Sequence, residues 1–221
     1  IAVDFSSWPI ITHEFECCMQ ALMQGQALAE LPTLPLQYAD FAGWEQQLHQ
    51  RLSQADGGGS LTTWWQDQLH GAASHLELPN RSTAFQARGR VPAGSVQLRV
   101  GADAGRQLAS VCRAAGVTLL CGVLSVWCSM LLQMSGQEEM VVGQPFRMRQ
   151  HEGLDALVGF FVNMLPIRLQ KPAHMSPLCD NALHNVQQSI LQALDHSQGA
   201  VHRVRHAHGV RSTDLFQTSM Q

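Results

Sequence analysis

The stretch Val158-Gly159-Phe160-Phe161-Val162-Asn163-Met164-Leu165-Pro166-Ile167-Arg168 narrows the possible folds more than any other, because it sets a glycine, paired aromatics and a lone amide inside an apolar run. A plain buried strand has little use for Gly159 or Asn163. One open reading of Asn163 is that it satisfies backbone groups where a strand bends. The other is contact with a bound molecule.

At 221 residues and 45% hydrophobic, the chain is long enough for one large core or two small lobes. A net charge of -3 and a pI near 6.4 rule out a generally basic surface, so broad electrostatic capture of nucleic acid is not expected. Cys17, Cys18, Cys112, Cys121, Cys128 and Cys179 contain no C-x-x-C pair, and most sit in apolar helical patterns where a free thiol behaves as a small hydrophobe. That usage points to a reducing, cytoplasmic compartment. Thr118 to Met134 is strongly apolar but holds Cys, Ser, Gly and Gln, which suits a buried helix better than a membrane span. The chain begins at Ile1 in mid-pattern, without signal-peptide charges, so it reads as a fragment cut at both ends.

Ser6 and Ser7 are candidate caps, Pro9 suits a first turn, and Ile10, Ile11, Phe15, Cys18, Met19, Leu22 and Met23 recur at helical spacing. A first helix from Trp8 to Gln24 follows. Leu31 to Leu36 carries two prolines and reads as an extended connector. A second helix, Gln37 to Ser53, aligns Tyr38, Phe41, Trp44 and Leu48; the turn Asp56 to Ser60 precedes a third helix from Leu61 to Leu69. Leu78 to Pro92 reads as a passage between lobes. Beyond it, Ser95 to Val100 alternates as a strand, Asp103 is a candidate cap for a helix ending near Gly116, and Thr118 caps the buried helix. Glu139 to Gly143 reads as a strand, Leu154 to Leu169 as one or two more, and Pro177 to Asp195 as a last amphipathic helix. Strand, two helices, strand indicates an α/β lobe.

Several motifs occur in one order along the chain. Asp4-Phe5-Ser6-Ser7-Trp8, Leu34-Pro35-Leu36-Gln37, Tyr38-Ala39-Asp40-Phe41-Ala42-Gly43-Trp44, Trp65 to Gly71 with Leu76-Glu77-Leu78-Pro79, Gly116-Val117-Thr118-Leu119, Ser135 to Gly143 and Val158 to Arg168 carry the pattern. Together they resemble the condensation domains of nonribosomal peptide synthetases. The resemblance spans essentially the whole chain. It frays at His196-Ser197-Gln198-Gly199-Ala200-Val201-His202, where the family has His-Gln-Asp-x-Pro-Phe-Glu, and returns at Leu215-Phe216-Gln217.

The resemblance implies an α/β, two-lobed fold like that of chloramphenicol acetyltransferase, a CoA-dependent acyltransferase, incomplete in this chain. Residues 1–79 would be the end of the first lobe and the passage, and 80–221 the early second lobe. The family's core motif is two histidines, three variable residues and Asp-Gly; three residues precede Asp4, so the histidine pair would lie just before Ile1. The second histidine would be the catalytic one. Phe5 stands where the family usually has glycine. Phe5, Ser6, Phe161 and Asn163 are the implied substrate-contacting residues, with Asn163 lining a tunnel.

The implied reaction in the complete domain is amide formation between an upstream acyl or peptidyl thioester and a downstream aminoacyl thioester. Phosphopantetheine arms of carrier proteins would deliver both, with no cofactor bound directly. The implied partners are upstream and downstream carrier domains and an adjacent adenylation domain, with neither nucleic acid nor membrane. The 221 residues alone would be inactive.

Rival readings stand beside these. Asp4 reads more readily as a buried structural carboxylate with an arginine partner than as a catalytic group. Tyr38, Asp40 and Trp44 suit packing and capping. His202, His206 and His208 with Arg203, Arg205 and Arg211 fit no zinc spacing, so no metal site is expected. The same scaffold also serves epimerisation, ester formation and starter-acyl transfer, and a non-catalytic module recruiting a partner enzyme or carrier is a further alternative.

Overall fold

The computed structural model describes residues 3–27, 31–55, 60–73, 75–79, 94–149, 151–172, 176–198, 216 and 218–220. Two compact units form: Ile1–Thr63 with Pro145–Met164, and Trp64–Gln144 with Leu165–Gln221. They interleave along the chain, so residues from the second half of the sequence belong to both.

In the first unit, helix α1 spans Trp8–Met23 and α2 spans Tyr38–Ala55. Pro9 lies in the first turn of α1, where its missing N–H costs nothing. Ser7 occupies the N-cap position of α1 but makes no side-chain cap bond, contrary to the capping expectation, because its hydroxyl is engaged elsewhere. Of the apolar residues on α1 only Ala21 is buried; Phe15, Met19, Leu22 and Met23 are exposed. In α2 the Asp40 carboxylate accepts from the backbone N–H of Gln37 at 2.8 Å, which caps the helix start. Phe41 is buried and joins Leu154, Leu157 and Phe161 in one apolar cluster, with Leu34 packed against it.

Helix α3 spans Ser60–Leu69. In the second unit, α4 (Ala102–Ala114) and α6 (Asp180–Asp195) pack against α5 (Leu119–Ser135). The side chain of Thr118 accepts from the Cys121 N–H at the start of α5, and Gly136, with φ +71°, closes it. Seven α5 residues are buried, but Val123, Val126, Met130 and Met134 are exposed. The expected buried helix therefore has one open face. Burial pushes the Cys128 thiol up to about 12, which makes it an inert apolar group. α6 buries Ala182, Leu183, Val186, Ile190 and Ala193, an apolar stripe at helical spacing. No single helix among the described residues is long and apolar enough to cross a membrane.

The fold also corrects the reading of the stretch leading into α4. The N-cap of α4 is Gly101; Asp103 lies one residue into the first turn and pairs with Arg106. Ser95 to Val100 forms no strand, and Val96, Leu98 and Val100 are all exposed. Alternation alone does not make a strand without a neighbouring edge to pair with.

Strand β1 covers Glu139–Arg147 and β2 covers Val162–Gln170. Met148 donates to Phe161 at one end, and Lys171 donates to Glu138 at the other. Residue numbers thus run in opposite directions, as an antiparallel ladder requires. β1 buries the whole run Met140–Gln144. Leu154–Ala156, read from the sequence as possible strand, is a 3-10 turn.

The second unit is tied together by polar bonds. Arg168 holds Glu139 through Nε and Nη2, while its Nη1 donates to the carbonyls of Gln68 and His70. Gln137 accepts from the Glu77 N–H and donates to the His75 carbonyl, anchoring the passage after α3. Trp65 is buried and its indole donates to the carbonyl of His196, whose ring stacks on Trp64 at 3.9 Å.

Gly143 pairs in parallel with Ser219 on the outer edge of β1, and a Cβ at Gly143 would stand 2.3 Å from the Phe216 ring. Gly143→Ala is therefore expected to destabilise the polypeptide by about 1–3 kcal/mol through overpacking. Urea unfolding of G143A, F216A and the double variant checks this. The double variant should lose less than the two single costs combined.

Candidate functional site

Asp4 is the only acidic residue among the buried polar groups of the described residues, and its neighbours explain why. Its Oδ1 accepts from the Ser7 hydroxyl at 2.8 Å, the Ser7 N–H at 3.0 Å and Arg149 Nη2 at 3.1 Å. Its Oδ2 accepts from the Phe161 N–H at 3.1 Å. The side chains of Arg149 and Asp4 are 0% and 1% exposed. A buried charge of this kind persists only when paired and hydrogen-bonded, and both conditions hold.

Sequence-local geometry prepares the site. Asp4 caps a one-turn 3-10 helix, Phe5–Ser7, that leads directly into α1. The Asp4 N–H donates to the Gly159 carbonyl at 3.0 Å, so both backbone and side chain bind the 159–161 segment. Arg149 closes the other side. Its Nη1 donates to the carbonyls of Leu154 and Leu157, its Nη2 also donates to the Ser7 hydroxyl at 3.0 Å, and its guanidinium lies 4.0 Å from the Phe161 ring centroid. Four of its five N–H donors are thereby used, with cation–π attraction on its face.

Aromatic packing explains Gly159. A Cβ there would lie 2.2 Å from the Tyr38 ring, and Tyr38 donates from its hydroxyl to the Phe160 carbonyl at 3.0 Å. Tyr38 meets Phe161 edge-on with centroids 5.2 Å apart, while Phe41 lies 4.8 Å from Phe161. Trp44 packs edge-on to His151. The glycine is thus a space requirement imposed by α2.

Burial by itself raises the Asp4 pKa and is the largest single influence. The hydrogen bonds from Ser7, Phe161 and Arg149, with the Arg149 charge, outweigh it and hold the carboxyl below its ordinary value. Burial, with the charges of Glu45 and Asp4 adding to it, raises the Tyr38 phenol.

Among the residues singled out from the sequence, Asp4 and Phe161 meet directly through a backbone N–H. Phe5 adjoins them in sequence, but its side chain is 88% exposed. Ser6 is half-buried beside it, and Asn163 is half-buried at the second position of β2. Sequence reasoning missed the role of Ser7 and the identity of Arg149. Arginine as the partner type was readable from the carboxylate, but nothing in the spacing selects Arg149. His202, His206, His208, Arg203, Arg205 and Arg211 lie outside the described residues, and among the described residues no group of three or more His, Cys, Asp or Glu could hold a metal.

This architecture is the chloramphenicol acetyltransferase-like, CoA-dependent acyltransferase class. The chain matches the X-domain from teicoplanin biosynthesis with a TM-score of 0.83 at 24% identity, covering 100% of this chain and 49% of that one. The first condensation domain of the calcium-dependent antibiotic synthetase gives 0.72 at 19% identity, over 95% and 46% of the two chains. The family model for the condensation domain matches residues 1–221. The chain therefore belongs to the condensation-domain family of nonribosomal peptide synthetases.

A plipastatin synthase of Bacillus subtilis (strain 168) is 33% identical over 170 residues, 76% of this chain and 6% of that protein. Malpinin synthetase of Mortierella alpina is 30% identical over 221 residues, 98% and 3% respectively. The chain thus spans about half of the solved structures and a small part of the synthetases.

Arg149→Met, which strands the Asp4 charge, is expected to cost about 3–5 kcal/mol in denaturant unfolding at neutral pH. The pH dependence has a definite sign. Because the folded pKa of Asp4 lies below its ordinary value of 3.8, its stabilisation is complete above that value and disappears as pH falls through the lower folded one. Asp4→Asn should therefore flatten the acid arm of the stability curve below about pH 4 while lowering the neutral plateau.

Proposed function

We propose that this chain serves, within its full synthetase, in amide formation between two carrier-bound thioesters. The reading rests on one observation: the buried Asp4–Arg149 pair pins the turn that immediately follows the expected histidine positions. In this reading 1–79 and 80–221 are parts of the first and second lobes. Asp4 positions the loop and touches no substrate; the Phe161 ring, buried in the aromatic cluster, supports that loop rather than meeting substrate, and Phe5, Ser6 and Asn163 face the substrates.

The chemistry follows from the thioesters. A downstream aminoacyl amine attacks the upstream carbonyl carbon; the C–N bond forms and the C–S bond breaks. The attacking amine gives up one proton, directly or through the second histidine, to the departing phosphopantetheine thiolate, which leaves as the thiol. Much of the barrier is alignment of two tethered reactants, so rigid placement of the loop matters more than strong acid–base groups. The partners are the flanking carrier domains and the adenylation domain that loads one of them, in the cytoplasm. No cofactor is held by the chain itself.

A specific feature favours a second reading. Phe5 projects an exposed aromatic side chain where the resemblance expects glycine, and a solved X-domain, 25% identical, is in complex with OxyB. A recruitment module would keep the pinned turn and lose the histidine pair.

The full synthetase, loaded with acyl and aminoacyl carriers, should form amide, and alanine in place of the second histidine should lower the single-turnover rate by about 10²–10⁴-fold. Absence of amide with active control modules, together with stable capture of a partner enzyme, would establish the recruitment reading instead.

A further inference from the structure

The hydroxyl of Ser7 has four partners within hydrogen-bond distance and only three bonds to offer. Asp4 Oδ1 lies at 2.8 Å, the Gly159 carbonyl at 2.9 Å, Arg149 Nη2 at 3.0 Å and the Gly159 N–H at 3.1 Å. Arg149 and the Gly159 N–H are donors and fill both lone pairs. The single hydroxyl proton must choose between a carboxylate oxygen and a peptide carbonyl.

Neither acceptor is orphaned by the choice. Asp4 Oδ1 also receives the Ser7 N–H and Arg149, and the Gly159 carbonyl also receives the Asp4 N–H. The ionised carboxylate is the stronger acceptor, so the proton rests mainly there. Ser7 is 0% exposed, so water cannot replace it. Its oxygen is bonded at once to the Gly159 N–H and to Arg149, and its proton lies within reach of both the Asp4 carboxylate and the Gly159 carbonyl.

We infer that Ser7 is a positioning residue for the condensation reaction, holding the Asp4 turn and the Gly159–Phe161 segment in one register; this rests on the condensation reading above. Asp4 and Arg149 supply charge, and the two N–H groups of Arg149 Nη2 are shared between Asp4 at 3.1 Å and Ser7 at 3.0 Å, so the hydroxyl fixes how the guanidinium sits on the carboxylate. Removal of the hydroxyl leaves the Gly159 N–H buried without this acceptor and lets Arg149 draw Asp4 out of register. Misplacement of about 1 Å is enough to slow an alignment-limited reaction 10²-fold.

The test uses the full synthetase carrying Ser7→Ala or Ser7→Thr. For Ser7→Ala the single-turnover rate should fall about 10–100-fold at unchanged half-saturation by the loaded carriers. Ser7→Thr, which keeps the hydroxyl, should recover most of that loss. Hydrogen–deuterium exchange should accelerate in peptides covering 158–161 and 4–7 of Ser7→Ala together, while peptides of α2 keep the parent rate. Parent-like turnover of folded Ser7→Ala, equal losses in folded Ser7→Ala and Ser7→Thr, or unchanged exchange at 158–161 each overturns the inference. Failure of the parent synthetase to form amide is instead a failure of the condensation reading, and the exchange measurement then decides by itself whether Ser7 sets the register.

Discussion

A carboxylate sealed from water is the constraint that organises the first unit. Asp4 enters the interior as an ion, so every one of its neighbours must answer for lost hydration. Arg149 answers with charge, Ser7 with a hydroxyl and an amide, and Phe161 with a backbone N–H. These partners come from residues 4–7, 149 and 161, segments far apart in sequence. The desolvation of one group thus forces three segments to a common point, which hydrophobic burial, being non-directional, cannot do.

Apolar packing then makes that point rigid. The Phe161 ring lies under the Arg149 guanidinium and against Tyr38 and Phe41, so the same residue that donates to Asp4 anchors the aromatic cluster. Tyr38 in turn excludes any side chain at position 159. The glycine is therefore bound up with the carboxylate site: a Cβ would push Tyr38 away, and Gly159 donates its N–H to the Ser7 hydroxyl while its carbonyl accepts from the Asp4 N–H. In the second unit Gly143 has the same kind of role beneath Phe216. Both glycines have ordinary backbone angles; their requirement is space, not a left-handed conformation.

Much of this was legible from the residues. Helical periodicity located α1, α2 and α6 to within a few residues, because amphipathic spacing is a local property. Thr118 marked the start of α5 by capping chemistry that needs no tertiary information. The misses share a cause. Ser95 to Val100 alternates as a strand does, yet a strand exists only where an edge accepts its hydrogen bonds. Ser7 looks like a helix cap until a buried carboxylate and a distant carbonyl claim its hydroxyl.

The linear order of residues was enough to establish the family, the order of the elements, and the expectation that Asp4 would be a buried carboxylate with an arginine partner, since motif order and one misplaced charge are written along the chain. It took the folded chain to show which arginine, that Ser7 rather than Ser6 joins the pair, and that Gly159 leaves room for Tyr38. The two differ in range. Propensity and capping act within a turn of chain, whereas desolvation and steric exclusion act between whatever residues the fold brings within about 3–4 Å.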